Sequence, residues 1–204
     1  MSFAVRQTHF GSYKFNVFED VYEPAEDTFL FAENLEVRKG DSVLDVGTGC
    51  GILAIIAAEK ASSVIAVDLN PYALCCAKEN SELNHMKDKM FFLQEDLFAA
   101  LSEAVRFDLI LFNAPYLPSD EDETETWISK SWSGGKNGRE VIDRFISKVS
   151  SHLQPNGRIL LMQSTLANVE ETVQKFRDVK LRAKIKAERK LPFFETLFLI
   201  EAKL

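Results

Sequence analysis

The glycine-rich stretch Asp45-Val46-Gly47-Thr48-Gly49-Cys50-Gly51 constrains the fold more than any other part of the sequence. It follows a short apolar run at 42–46 and leads into a longer one at 51–60, which predicts a strand, a tight turn and a helix. Glycine lets the backbone take positive φ and approach a ligand closely, and the first helical amides lack intrahelical partners. A nucleotide-like ligand is therefore expected at the turn, with a turn that binds nothing as the alternative.

The spacing of the glycines argues against a dinucleotide. It is G-x-G-x-G, and Ile52 stands where the dinucleotide-binding motif has its third glycine for close packing of helix on strand. This favours a cofactor without a pyrophosphate. S-adenosylmethionine fits, because its amino and carboxylate groups can meet the turn and the neighbouring acid. The cofactor contacts predicted in this stretch are Asp45, Gly47, Gly49 and Gly51.

Strand-like and helix-like segments alternate from residue 41 onward. The expected strands are 42–46, 63–68, 90–95, 107–112, 158–163, 181–189 and 194–203. The expected helices are 51–60, 71–84, 98–104, 138–153 and 167–178, with a turn at Gln154-Pro155-Asn156-Gly157. Such alternation predicts right-handed crossovers and an α/β fold: an open, mostly parallel sheet with helices on both faces and an antiparallel pair at the C-terminal end.

The region before this pattern has two parts. Residues 1–20 are aromatic and mixed in charge, which predicts a short strand or hairpin packed on the main domain. Pro24, Glu26 and Asp27 suit the first turn of a helix, because proline is tolerated there and acids favour the positive end of the helix dipole. A helix is therefore expected over 24–36.

Length and composition fit one soluble domain. With 204 residues, we expect a single domain in which 1–40 form an N-terminal extension and helix and 41–204 form a Rossmann-like core. The hydrophobic fraction is 46% and the charged fraction 27%, both ordinary for a globular protein. The net charge of -7 argues against tight binding to nucleic acid, which needs clustered Lys and Arg.

The three cysteines, Cys50, Cys75 and Cys76, form no C-x-x-C pair and have no histidine at metal-ligand spacing. We therefore expect neither a disulfide framework nor a metal site. No signal segment is visible, and no apolar run has the ~20 residues that cross a bilayer. A cytoplasmic protein is the simplest expectation.

Polar residues follow the expected strands at the points where they end. Asp68 ends the second strand, where a carboxylate can accept hydrogen bonds from both hydroxyls of a ribose. Asp96 follows the third strand and can accept from an adenine amino group, and Leu97 offers an amide and an apolar surface for the ring. Helix capping is the alternative for each acid. Carboxyl ends of parallel strands share one edge of a sheet, which predicts a common site there.

The fourth strand ends in Asn113-Ala114-Pro115-Tyr116, which resembles the Asn-Pro-Pro-Tyr motif of methyltransferases that modify amide or exocyclic amino nitrogens. Such a nitrogen is a weak nucleophile because its lone pair is delocalised. The Asn oxygen and the next backbone carbonyl can each accept one N–H, which holds the NH₂ group, while the tyrosine stacks on it. Ala114 replaces the first proline, but its carbonyl remains, and Pro115 still favours an extended residue before it.

Four segments together resemble the HemK-related release-factor glutamine methyltransferases, in particular the short branch from eukaryotes and archaea. They are residues 22–28, 45–51, 113–116 and 132–139. The resemblance implies a seven-stranded class I methyltransferase fold with a reversed last hairpin. It also implies the substrate, which is the glutamine of the Gly-Gly-Gln motif in a class 1 translation release factor.

The resemblance implies roles for particular residues. Asp27 and Thr28 would help hold the methionine end of S-adenosylmethionine, Asp68 the ribose, and Asp96 with Leu97 the adenine. The target glutamine would be framed by Asn113, Pro115 and Tyr116, the first of which also belongs to the cofactor site.

Members of this branch commonly need a small zinc-binding activator protein beside the third strand. The candidate contacts are Met90, Phe91 and Phe92, for which filling the core is the alternative.

The loop 117–136 is long and strongly acidic, and we expect it to lack structure of its own. Its acids could attract a basic domain of the substrate, and its tryptophans could form part of the substrate wall; a solvated loop is the alternative for the acids. The acids are Asp120, Glu121, Asp122, Glu123 and Glu125, and the tryptophans are Trp127 and Trp132.

Two other functions remain open from the sequence. The motif at 113–116 suits methylation of adenine N6 in DNA or RNA equally well, although the acidic composition and the lack of a target-recognition domain count against it. A non-catalytic partner protein that binds S-adenosylmethionine is the second alternative, which Ala114 keeps open.

Overall fold

In the computed structural model, which describes residues 5–120 and 126–204, helices separate most of the successive strands from residue 42 onward. The strands are β1 (Val5–Phe10), β2 (Tyr13–Phe18), β3 (Ser42–Val46), β4 (Ser63–Asp68), β5 (Met90–Gln94), β6 (Phe107–Asn113), β7 (Leu153–Ser164), β8 (Arg182–Lys190) and β9 (Thr196–Lys203). The helices are α1 (Glu26–Glu33), α2 (Ile52–Ala58), α3 (Pro71–Leu83), α4 (Trp127–Trp132), α5 (Glu140–Val149) and α6 (Val169–Asp178).

Seven strands form the main sheet in the order β5-β4-β3-β6-β7-β9-β8. The pairs from β5 to β7 are parallel, whereas β9 runs antiparallel to both of its neighbours. The central strands are apolar on both sides, as parallel strands covered by helices must be. The predicted α/β class, with its mostly parallel sheet and reversed last hairpin, is confirmed.

Alternate residues of β6 enter two separate cores. Leu109 and Leu111 pack with residues of α1, α2 and α3, whereas Ile110 and Phe112 pack with residues of α5 and α6. Because successive side chains of a strand point to opposite faces, the helices lie on both faces of the sheet. Within 5–120 and 126–204, no helix has the length and apolarity needed to cross a bilayer.

The N-terminal strands β1 and β2 form an antiparallel hairpin, as predicted, which packs on α3. The fully buried Asn80 holds it in place: its Oδ1 accepts from Asn16 N at 2.8 Å, and its Nδ2 donates to the carbonyls of Asn16 and Cys50, each at 2.8 Å. One side chain thus connects the hairpin to Cys50 of the glycine-rich stretch.

Two sequence predictions between β5 and β7 are wrong. Residues 98–104 form isolated turns rather than a helix. Ala99 N donates to Asp96 O, but Ala100 N donates to the Glu95 carboxylate instead of to a backbone carbonyl. So short a segment gains little from helical hydrogen bonds. Residues 154–157, expected to form a turn between a helix and a strand, belong to β7, which begins at Leu153, and the register of β7 against β6 shifts there.

Other elements also differ from the sequence predictions. The first helix is shorter than expected, Glu26–Glu33, and α5 ends at Val149 before a 3₁₀ turn. The loop 117–136 contains the short helix α4, which begins with a capping box. In it, Ser129 N donates to Thr126 Oγ1, and Thr126 N donates to Ser129 Oγ.

Candidate active site

A cavity of about 940 Å³ opens where β3, β4, β5 and β6 end, within the size range of small-molecule sites. Most of the residues expected at the site line it: Asp27, Thr28, Gly47, Gly49, Asp68, Asp96, Leu97, Asn113, Pro115 and Tyr116. Asp45 and Gly51 lie outside its lining. The sheet topology thus brings together segments separated by nearly ninety positions in the chain.

The turn after β3 is formed by backbone in the left-handed region. Gly47 and Gly49 have φ of 65° and 56° and line the cavity. Gly51, with φ of 86°, faces the protein instead, and a Cβ there would lie 2.9 Å from the Cβ of Ala77 on α3. The first two glycines therefore present backbone to the cavity, and the third allows α2 and α3 to pack closely.

Asp45 lies beneath this turn, and its Oδ2 accepts a hydrogen bond from Thr48 Oγ1 at 2.7 Å. The pKa of Asp45 is raised to about 7, mainly by burial and also by the charge of Asp68, against the lowering effect of the Thr48 hydroxyl. Its contact in this structure is with the turn. The expected contact of Asp45 with a cofactor stays a prediction.

Asp68 links the end of β4 to the glycine turn. Its Oδ2 accepts from Gly49 N and its Oδ1 accepts from Asn70 N, both at 2.9 Å. Burial raises the pKa of this carboxyl, and the backbone amides oppose the shift. Because each carboxylate oxygen can accept more than one hydrogen bond, acceptor capacity remains for ligand hydroxyls.

Asp96 and Leu97 border the cavity beyond β5. The Asp96 carboxylate forms an ion pair with Arg144 of α5 at 2.5 Å, and both residues line the cavity. Leu97 is buried and has φ of 58°, which is uncommon for a residue with a side chain. The backbone therefore turns sharply at the position where an adenine contact was expected.

Asn113, the last residue of β6, has its side-chain amide held from one end. Its Nδ2 donates to Thr28 Oγ1 at 3.1 Å and to Asp27 Oδ2 at 3.3 Å. The reverse orientation would set an amide oxygen against a carboxylate, so these contacts fix which atom is nitrogen. The Oδ1 atom is buried and has no hydrogen-bond partner among the described residues.

The carboxylate of Asp27 organises the groups around Asn113. Its Oδ1 accepts from Thr28 Oγ1 and from Tyr22 Oη, each at 3.1 Å. Burial raises the pKa of Tyr116 above its usual value, and the Asp27 charge adds to the effect, so the phenol is protonated at neutral pH. Asp27 and Thr28 therefore contact the acceptor motif, whereas the sequence suggested only cofactor contacts for them.

Residues 132–139 support the chain that follows Tyr116. Leu117 N donates to Trp132 O at 3.0 Å, and Gly134 N donates to Leu117 O at 2.8 Å. A Cβ on Gly138 would lie 2.4 Å from the carbonyl oxygen of Tyr116, so only glycine fits there. The segment that sequence analysis associated with the family thus positions the strand end that carries Tyr116.

Several cavity residues were not predicted as site residues. Tyr22 belongs to a segment that carries the family resemblance, so a signal for it was present. Asn70 and Glu95 neighbour predicted acids, and only their position along the strand ends could have indicated them. Arg144 lies mid-helix on α5, and nothing in its sequence neighbourhood distinguishes it from a surface residue.

The acidic loop and the candidate activator surface are only partly described. Asp120, Trp127 and Trp132 line the cavity, whereas Glu121, Asp122, Glu123 and Glu125 lie outside the described residues. On the edge strand β5, Phe91 is 59% exposed, Phe92 is half-buried and Met90 is buried in the core. Within the described chain, no cluster of His, Cys, Asp or Glu could hold a metal ion.

The sheet order and the two motifs at its carboxyl edge define a class I methyltransferase. The family model for ribosomal protein L11 methyltransferase (PrmA) matches residues 27–114. A solved Mtq2–Trm112 complex of E. cuniculi, described as responsible for methylation of the eRF1 translation termination factor, has a similar chain. Its TM-score is 0.71, its identity 27%, and the match covers 90% of this chain and 98% of that one.

Two curated relatives identify the family more narrowly. A Methanocaldococcus jannaschii protein with the provisional name protein N5-glutamine methyltransferase is 40% identical over 93% of this chain and 94% of its own. Human methyltransferase HEMK2 is 36% identical over 77% of this chain and 78% of its own. This chain therefore belongs to the family of protein N5-glutamine methyltransferases.

Proposed function

We propose that this protein transfers a methyl group from S-adenosylmethionine to the side-chain nitrogen of the glutamine in the Gly-Gly-Gln motif of a class 1 translation release factor, in the cytoplasm. The observation that carries the proposal is the unpaired, buried Oδ1 of Asn113. A buried acceptor without a donor is costly, and an N–H of a bound amide would satisfy it.

The cavity supports the cofactor assignment. A Cβ added to Gly49 would meet nothing within 4 Å, so this glycine faces open space and leaves room for a ligand against the turn. Gly47 and Gly49 would hold the methionine end, Asp68 would accept from ribose hydroxyls with its remaining lone pairs, and Asp96 with Leu97 would border the adenine. When bound, S-adenosylmethionine supplies an electrophilic methyl group on its sulfonium.

The residues of this chain then contribute alignment and electrostatic stabilisation. Asn113 Oδ1 accepts one N–H of the substrate amide and the carbonyl of Ala114 accepts the other, which holds the nitrogen in one orientation. Both acceptors also stabilise the positive charge that develops on that nitrogen. Tyr116 is a neutral wall that excludes water, and the proton leaves after transfer, so no strong base is needed.

The choice of glutamine over adenine rests on the relatives. The geometry at Asn113 would hold any planar NH₂ group, including the amino group of adenine. The Methanocaldococcus jannaschii relative and several bacterial relatives have names that state glutamine in a protein as the substrate, and the net charge of -7 is unfavourable for a nucleic acid.

The test offers both substrates to the protein. Purified protein is incubated with S-adenosylmethionine labelled in its methyl group, and with either a class 1 release factor or DNA and RNA. We expect label in the release factor and none when its Gly-Gly-Gln glutamine is replaced by alanine. Label confined to nucleic acid would contradict the proposal.

We further propose that a small zinc-binding activator protein covers the β5 edge of the sheet. The exposed ring of Phe91 supports this, since an unpaired edge strand with an apolar side chain invites a partner. The Mtq2 chain of similar fold was solved together with Trm112. Phe91→Asp should abolish co-purification with the activator, whereas the control Leu83→Asp, on an exposed apolar residue of α3, should not.

A further inference from the structure

The connection between β8 and β9 carries the two most exposed large apolar side chains of the described chain. Phe193 is 96% exposed and Phe194 is 103% exposed. Both have positive φ, 61° and 67°, a conformation that is strained for a residue with a bulky side chain. The turn is nevertheless closed by a backbone hydrogen bond from Leu191 N to Glu195 O at 2.8 Å.

This turn lies on the same edge of the sheet as the candidate active site. The strand β9 is antiparallel, so it begins where β7 ends: Leu197 pairs with Ser164, and Thr196 N donates to Thr165 Oγ1 at 3.2 Å. The negative charge of Glu195 contributes to the raised pKa values of Tyr22 and Tyr116. The phenylalanine pair therefore lies outside the lining of the cavity, next to a residue with a charge that acts on two tyrosines of that lining.

We propose that Phe193 and Phe194 form a docking point for the protein substrate, where they contact apolar side chains of the folded domain that presents the glutamine. This inference rests on the proposed function. A cavity sized for a cofactor and one side chain leaves most of a protein substrate outside, so the surrounding rim must bind it. Exposed aromatic rings are common anchors in such interfaces, and backbone strain is often retained at binding sites.

A second copy of this chain is a less suitable partner for the two exposed rings. Two side chains at a turn bury far less than the ~1,200 Å² that a stable dimer needs. A transient enzyme–substrate contact, assisted by the cavity beside it, requires no such area.

The experiment replaces both rings with glycine, Phe193→Gly with Phe194→Gly, because glycine accepts positive φ without strain. The full chain is assayed with S-adenosylmethionine and a full-length class 1 release factor. The KM for the release factor should rise about tenfold with kcat within twofold, and the thermal midpoint should stay equal or rise. The control Val105→Ser, on an exposed residue before β6, should change neither KM nor kcat.

Each other outcome has a distinct meaning. An unchanged KM in the glycine variant, with an active wild type, overturns the docking point and leaves the proposed function intact. A fall in kcat alone, or a shift from dimer to monomer on sedimentation, also overturns it, because the rings would then serve the reaction geometry or self-association. A wild type that methylates no release factor overturns the proposed function, and the docking point falls with it.

Discussion

In the turn after β3, the atoms at the cavity belong to the backbone, whereas at the end of β6 they belong to side chains. Gly47 and Gly49 present backbone in the left-handed region, and Asn113 presents an amide held by Thr28. The PrmA model matches residues 27–114, which include the glycine turn and stop within the motif at 113–116. We propose that the residues around the glycine turn, the cofactor half, hold S-adenosylmethionine, and that the residues around Asn113, the acceptor half, determine which nitrogen receives the methyl group.

The largest expected effect is on the acceptor half alone. Asn113→Ala removes both the fixed amide and its unpaired oxygen, so kcat should fall about 10³-fold, the scale seen when a transition-state contact is removed. The Kd for S-adenosylmethionine, measured by calorimetry, should stay within about threefold. The matched variant Asn156→Ala, in the register shift of β7, should leave both values unchanged. Equal losses of turnover and cofactor binding would contradict the division into two halves.

Substitutions in the cofactor half should destabilise the fold through packing and backbone strain. Gly51 and Gly40 have nearly equal φ, 86° and 88°, but only Gly51 would bring a Cβ within 2.9 Å of Ala77. Each alanine variant should lose about 1 to 2 kcal/mol of unfolding free energy to strain, and Gly51→Ala about 1 to 3 kcal/mol more to the clash. Urea denaturation measures both. Equal losses would show that the contact between α2 and α3 adds nothing.

The free energy of unfolding should depend on pH because of Asp45, the buried acid beneath the turn. Burial raises the pKa of Asp45 to about 7 from 3.8, so the folded state binds this proton more tightly than the unfolded state. Its stabilising effect is complete below the unfolded value and is lost as pH rises through the folded one. Between pH 4 and 8 the wild type should therefore lose roughly 4 kcal/mol relative to Asp45→Asn, measured by urea denaturation without cofactor. A difference that is constant with pH would contradict this.

The smallest effect separates two roles for Thr28. Thr28→Val keeps the shape but removes the acceptor of Asn113 Nδ2, so kcat should fall about three- to tenfold with the cofactor Kd unchanged. Thr48→Val removes a hydroxyl of the same kind from the glycine turn, so it should raise the cofactor Kd. A raised Kd in the Thr28 variant, with kcat intact, would restore the role that the family resemblance implied.

The sequence predicted the sheet because its information is local and periodic. Short apolar segments alternate with amphipathic ones, and the strand-end residues Asp68 and Asn113 follow directly from that pattern. Segments 98–104 and 154–157 were mispredicted because a carboxylate from outside the turn and a shift of register decide them. Neither is visible in the residues of the segments themselves.

The sequence predicted most residues that line the cavity but not which residues they contact. The pairing of Asn113 with Thr28, or of Asp96 with Arg144, joins positions that only the folded sheet brings together. The positive φ of Phe193 and Phe194 was also invisible, because nothing in a Leu-Pro-Phe-Phe-Glu segment indicates a left-handed backbone. Contacts across the fold therefore changed the interpretation of residues that the sequence had already identified.

The most direct test of the central claim locates the methyl group on the product. A class 1 release factor is incubated with S-adenosylmethionine and either the wild type or Asn113→Ala, then digested and fragmented in a mass spectrometer. We predict one added methyl group on the side-chain nitrogen of the Gly-Gly-Gln glutamine with the wild type, and none with the variant. A methyl group on any other residue, or on that glutamine with both proteins, would contradict the account.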